Sequence, residues 1–249
     1  MCYGDDARPP QPPHPGPVGE HGDLVLRSPD GTEFSGYFAH PERPTGRGIV
    51  IFPDVRGLHV FYKELAHSFA SAGLSALAFD YFGRTAGLGE RGEDFGYREH
   101  VDKLEFATVK QDATVAGGWL REHGARSLFT VGFCFGGAMS FRQAAAGDDL
   151  SGSIGFYAIP SRVRDVADAI TSPLLILAAG QDFTPVAEVE QFADRIRGHG
   201  VDARMTVYPD AGHSFFDRNF GQHQNDVEDA WRQMLGFIDD KADYPIKRD

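Results

Sequence analysis

Val131-Gly132-Phe133-Cys134-Phe135-Gly136-Gly137 decides the reading of this chain. An apolar run, residues 128–131, leads into Gly-x-Cys-x-Gly, and a helical pattern follows from about Phe135. That order is the strand–turn–helix corner that lifts a nucleophile off a sheet, with cysteine in the nucleophile's place. Side chains two residues to either side of the cysteine would clash in so tight a corner, and both positions are glycine. The corner would set the sulfur at a helix N-terminus, where the helix dipole favours the thiolate. It would also aim the N–H of Phe135 at a developing oxyanion. The alternative is a buried, inert cysteine beside a glycine-rich helix contact.

Outward from this corner, short runs at 48–52, 75–79, 152–157, 174–178 and 203–208 are uniformly apolar. Strands covered on both faces have that character. Amphipathic stripes lie between the runs: Phe61, Leu65 and Phe69; Val109, Ala113, Ala116 and Leu120; Val189, Phe192 and Ile196; Val227, Ala230, Trp231, Met234 and Ile238. The alternation predicts an α/β fold, a mostly parallel sheet with helices on both faces. Residues 23–27 and 32–39, joined by Ser28-Pro29-Asp30-Gly31, predict an antiparallel hairpin before it.

The chain has 249 residues, a length that suits one domain, here residues 23–242. Residues 1–22 hold many prolines and few apolar side chains, so they are expected to form an unfolded tail. Residues 243–249 are expected to be a C-terminal tail. Residues 83–99 are rich in glycine and charge and lack a period. Such a loop is expected to be functional or mobile, at the carboxyl edge of the sheet.

The formal net charge of −12 argues against nucleic-acid binding and against docking on an anionic membrane. No apolar run approaches the roughly 20 residues that span a bilayer. The start lacks the basic-then-apolar pattern of a secretory leader. The two cysteines, Cys2 and Cys134, do not suggest a structural disulfide. A cytoplasmic protein, monomeric or a small homo-oligomer, with a small-molecule substrate is the expectation.

A nucleophile on such a corner calls for an acid and then a histidine further along the chain. Asp182 follows the 174–178 run in Gly180-Gln181-Asp182-Phe183-Thr184-Pro185, and His213 follows the 203–208 run in Ala211-Gly212-His213-Ser214-Phe215. Taken singly, Asp182 could be a helix cap, and His213 one loop histidine among ten. Together, three motifs stand in the right order, each past the end of a predicted strand.

These three motifs in combination resemble the dienelactone hydrolase family of the α/β-hydrolase superfamily, over residues 23 to 237. The resemblance implies a triad of Cys134, His213 and Asp182 that hydrolyses an ester or enol lactone through a thioester acyl-enzyme, with no metal or cofactor. It carries two further features. Asp54-Val55-Arg56-Gly57-Leu58 is similar to the family's Glu-x-x-Gly-hydrophobic segment, with Asp one methylene shorter than Glu. Asp54 would then hold the resting thiol, and the Val55 N–H would be the second oxyanion donor beside Phe135. Arg84 and Arg218 would bind a substrate carboxylate, although Asp217 takes the position after the histidine where an arginine is expected. Three other readings stay open. They are a general carboxylesterase or thioesterase on the same scaffold, a non-catalytic binding protein that keeps the fold, and a thiol redox protein. The last would want a resolving cysteine nearer than Cys2.

Overall fold

The computed structural model describes residues 6–145, 147, 149–217 and 220–242. The chain divides into two compact units, Met1–Arg126 and Ser127–Asp249, where the sequence predicts a single domain.

The first unit holds strands β1 (Val18–Arg27), β2 (Glu33–Pro41), β3 (Arg47–Phe52) and β4 (Ser75–Phe79). They lie in the order β1-β2-β4-β3. The hairpin β1–β2 is antiparallel, with Leu24 opposite Gly36, and β2 pairs antiparallel with β4. β3 and β4 are parallel, as a strand–helix–strand crossover requires. That crossover is α1 (Val60–Ser71), and three more helices follow β4: α2 (Gly83–Ala86), α3 (Tyr97–Val101) and α4 (Phe106–Glu122). Neighbouring residues of β2 show how the sheet is covered. The Tyr37 hydroxyl hydrogen-bonds to His67 Nε2 of α1 at 2.7 Å, and Phe38 packs its ring 5.0 Å from Trp119 of α4. Successive side chains of a strand point to opposite faces, so α1 and α4 cover opposite sides.

The second unit contains β5 (Ser127–Phe133), α5 (Phe135–Gln143), β6 (Gly152–Phe156), β7 (Leu174–Gln181), α6 (Val186–Gly198), β8 (Ala203–Gly212) and α7 (Gln224–Lys241). Its strands are all parallel in the order β5-β6-β7-β8. β5 and β6 are buried along their whole length, which explains their lack of alternation. Two glycines of β6 admit the helices. A methyl at Gly152 would meet the Phe237 ring of α7 at 2.6 Å, and one at Gly155 would meet Phe141 of α5 at 2.4 Å. Three residues apart, these positions face opposite ways, so α5 and α7 also cover opposite faces.

Two expectations need correction. Residues 18–22 belong to β1, and Pro9, Pro10 and Pro12 are buried. Gln11 donates to Ser68 at 3.3 Å, and the Gly16 N–H to the Ser71 carbonyl at 2.7 Å, which fixes this stretch along α1. Proline has no N–H to satisfy, so a proline-rich segment can bury its rings at small polar cost. Residues 1–5, the start of the expected N-terminal tail, and 243–249, the whole expected C-terminal tail, lie outside the described residues.

The second correction concerns residues 83–99. They include α2 and the start of α3, and Arg91 among them is buried. Its guanidinium donates to Asp80 Oδ2 through Nε at 3.1 Å and Nη2 at 2.8 Å. It also stacks over Phe95, 4.7 Å from the ring centre. A single buried charge pair gives the segment an anchor that hydrophobic periodicity cannot reveal.

Candidate active site

β5 ends in the corner that the sequence predicts. Cys134 has φ 55° and ψ −115°, a left-handed backbone that a non-glycine residue adopts only under constraint. The constraint is visible in the glycines. A methyl on Gly132 would lie 2.0 Å from the carbonyl oxygen of Gly136, and one on Gly137 would lie 2.9 Å from that of Phe156. Only glycine lets the strand end and the helix start approach so closely. The Cys134 N–H donates to the Phe156 carbonyl at 3.1 Å, tying the corner to the end of β6. The Cys134 carbonyl accepts from Gly137 at 3.1 Å and Ala138 at 3.3 Å, which starts α5. Cys134 is thus the N-cap of α5 and Phe135 its first residue, whose N–H has no acceptor within the helix. The cysteine is partly exposed and forms no disulfide.

Asp182 and His213 meet in the same unit. The aspartate follows β7 directly and the histidine follows β8 directly, and β7 and β8 are paired neighbours. His213 Nδ1 lies 3.0 Å from Asp182 Oδ1 and 2.9 Å from Oδ2. The carboxylate is almost buried, with 3% of its side chain exposed against 21% for the imidazole. The Phe183 N–H also donates to Asp182 Oδ1 at 2.6 Å, which fixes the carboxylate's rotation. A buried carboxylate on Nδ1 keeps the proton there and leaves Nε2 as the basic atom. The imidazole sits between two rings, with Tyr157 at 4.9 Å and Phe183 at 4.7 Å.

Sequence reasoning missed Tyr157 and the true place of Asp217. The Tyr157 hydroxyl donates to Asp217 Oδ2 at 3.0 Å, and Asp217 is 3% exposed. The aspartate that stands where a substrate-binding arginine is expected is a buried anchor for the ring beside His213. Tyr157 also carries a positive φ of 36°, at the end of β6. An apolar run that closes on tyrosine gave no hint of either feature.

Asp54, Val55 and Arg84 belong to the first unit. Asp54 and Val55 lie in a tight turn there. Asp54 Oδ1 accepts the Arg56 N–H at 2.9 Å, and the turn closes through Gly57, whose N–H donates to the Asp54 carbonyl at 3.2 Å. Arg84 donates to Asp30 Oδ2 at 2.9 Å and also to Asp112, itself buried and bonded by Ser28. Its guanidinium is therefore held by two carboxylates of its own unit. Arg218 lies outside the described residues.

The family pattern of the dienelactone hydrolases matches residues 34–241, most of the chain. The chain belongs to the dienelactone hydrolase family. Among its relatives, a Yersinia pestis protein named as a carboxymethylenebutenolidase is 27% identical over 227 residues, covering 84% of each chain. Protein usf of Aquifex pyrophilus is 28% identical, covering 87% of this chain and 97% of its own. A solved dienelactone hydrolase-like promiscuous phosphotriesterase from metagenomic libraries is similar in fold, with a TM-score of 0.73 at 24% identity, covering 90% of this chain and 99% of its own. The same α/β-hydrolase architecture extends to brefeldin A esterase, with a TM-score of 0.71 at 15% identity over 94% of this chain and 80% of that one. This dienelactone hydrolase family member is accordingly a hydrolase of the ester- and lactone-cleaving kind. No helix among its described residues is long and apolar enough to cross a membrane.

Proposed function

We propose that the chain hydrolyses a small carboxylic ester or lactone with Cys134 as nucleophile, His213 as base and Asp182 as the group that orients it. The observation that carries this reading is the Asp182–His213 pair combined with the strained cysteine at the start of α5. His213 Nε2 takes the thiol proton as the Cys134 sulfur forms a bond to the substrate carbonyl carbon, and the carbonyl oxygen takes up the negative charge. The N–H of Phe135 stabilises that oxyanion, with the Val55 N–H, by the sequence resemblance, as second donor. As the tetrahedral species collapses, the C–O bond breaks and the leaving oxygen takes a proton from His213. Water then attacks the thioester, His213 accepts its proton, the C–S bond breaks, and the acid leaves. A thiolate displaces an alkoxide or enolate far more readily than an amine, so esters and enol lactones suit it better than amides. By the same sequence resemblance, Asp54 would hold the thiol at rest.

A second reading concerns the substrate's charge. The sequence resemblance implies that Arg84 and Arg218 would hold an acidic substrate. Arg84 is occupied by Asp30 and Asp112, and Asp217 is an anchor for Tyr157. Those two observations favour a neutral ester or lactone over an acidic dienelactone.

The test is turnover of p-nitrophenyl acetate beside cis- and trans-dienelactone. Cys134→Ala should reduce hydrolysis of every substrate to background, and retained activity there refutes the nucleophile. A kcat/KM for dienelactone well above that for neutral esters refutes the preference for uncharged substrates.

A further inference from the structure

The first unit contains a buried charge that the reaction scheme does not use. Asp80 follows β4 directly and is fully buried, and its two carboxylate oxygens face different partners. Oδ2 takes the bidentate grip of Arg91. Oδ1 accepts the Leu58 N–H at 3.3 Å, at the end of the turn that carries Asp54 and Val55. The fit against that turn is close. Gly57 has φ 74°, and a methyl there would lie 2.3 Å from Asp80 Oδ1. The carboxylate therefore occupies the space that a side chain at residue 57 would need. Burial pushes the Asp80 carboxyl above its usual range, and the charge and hydrogen bonds of Arg91 oppose that push.

The surroundings show why this pair matters. Residues 58–60 and residues 89–92 line the same cavity, of about 660 Å³. The segment that bears Arg91 is intrinsically loose, with Gly87 and Gly89 both at positive φ. Arg91 closes it by donating to the Gly87 carbonyl as well as to Asp80. Other groups hold the turn's first half: Tyr62 accepts the Asp54 N–H at 2.9 Å, and Tyr81 donates to the Pro53 carbonyl. Its second half is held by its own bonds, among them the His59 N–H to the Gly57 carbonyl at 2.7 Å, and by Asp80.

We infer that Asp80 is a positioning residue for the 54–58 turn, and that Arg91 is the fixed counter-charge that keeps Asp80 in place as an acceptor. The inference rests on the proposed reaction, in which that turn supplies an oxyanion donor. Loss of the acceptor then lets the turn drift and weakens stabilisation of the tetrahedral species. Alkylation of the thiol does not use the oxyanion donors, and Asp54, proposed to hold the thiol, keeps its own anchor on Tyr62, so the alkylation rate stays as it was.

The experiment compares two double variants of the full chain, both without the buried charges. Asp80→Asn/Arg91→Gln keeps an oxygen that can accept from Leu58. Asp80→Leu/Arg91→Gln fills similar space without one. Each is assayed for kcat and KM on p-nitrophenyl acetate, and for iodoacetamide alkylation of Cys134 followed on its own peptide by mass spectrometry. The asparagine pair is expected to turn over about 10- to 100-fold faster than the leucine pair, since misplacing a catalytic group by about 1 Å costs up to about 10². KM and the alkylation rate are expected to agree within about threefold. Equal kcat values overturn the inference. So does alkylation that falls in step with kcat, which would mean that the pair supports the whole site and not the turn. Should the leucine pair fail to fold, Asp80→Ala/Arg91→Gln takes its place with the same criteria. Cys134→Ala, run alongside, separates the two ideas: activity surviving there defeats the nucleophile, whereas equal doubles with an inactive Cys134→Ala defeat only the positioning role.

Discussion

Two carboxylates, each gripped by a nitrogen base, stand in the two units with opposite designs. Asp182 meets His213 next to solvent, with a fifth of the imidazole exposed. Asp80 meets Arg91 where neither side chain has appreciable exposure. Histidine gains and loses its proton within the physiological range, whereas arginine keeps its own at any pH a protein tolerates. The first pair is suited to moving a proton and the second to holding a shape. Access to water follows the same division: a base that must exchange protons needs a route to solvent, and a fixed charge is steadier without one.

Asp182→Asn is the substitution with the largest expected effect on this contrast. It keeps the size of the side chain and removes the charge that selects the imidazole's tautomer. The kcat for p-nitrophenyl acetate should fall by roughly 10³- to 10⁴-fold with the fold intact by circular dichroism. A loss under tenfold would mean that His213 does not depend on its carboxylate, and the two pairs would no longer differ in kind.

Arg84 offers an intermediate case, a guanidinium 17% exposed against a carboxylate, Asp112, that is 1% exposed. Arg84→Gln leaves that carboxylate buried without its counter-charge and should cost about 3 kcal/mol of stability, read as a lower urea midpoint. An unchanged midpoint would show that buried charge pairs in the first unit contribute little to its stability. Tyr157→Phe should do least. It deprives buried Asp217 of a donor, costs about 1 kcal/mol of stability, and lowers kcat far less than Asp182→Asn does. A kcat loss as large as that of Asp182→Asn would make the ring a full partner of the imidazole.

The parts of the molecule that the sequence announces are those governed by neighbours in the chain. Residues 75–79 read as a strand and form β4 without the shift of a single residue. The Cys134 corner is legible because Gly132 answers a clash with Gly136, four residues further along the chain. Asp182 and His213 were placed by their position after strands, a local property, and their meeting follows from the pairing of β7 with β8. The buried prolines at 9, 10 and 12 were illegible because composition scores proline as a breaker and overlooks its apolar ring. Helices α2 and α3 span four and five residues, too short to show a period. Asp80 was unreadable for a different reason. An aspartate after a strand looks like any cap, and its role depends on an arginine eleven residues away and on a glycine that makes room for it.

The corner at Cys134 owes its shape to what Gly132 lacks and to the backbone angle at residue 134, and nothing in that arrangement refers to sulfur. A hydroxyl-bearing serine would be held out on the same perch. The scaffold thus separates the aiming of the attacking atom from its chemical identity, so one framework can exchange a soft nucleophile for a hard one through a single codon.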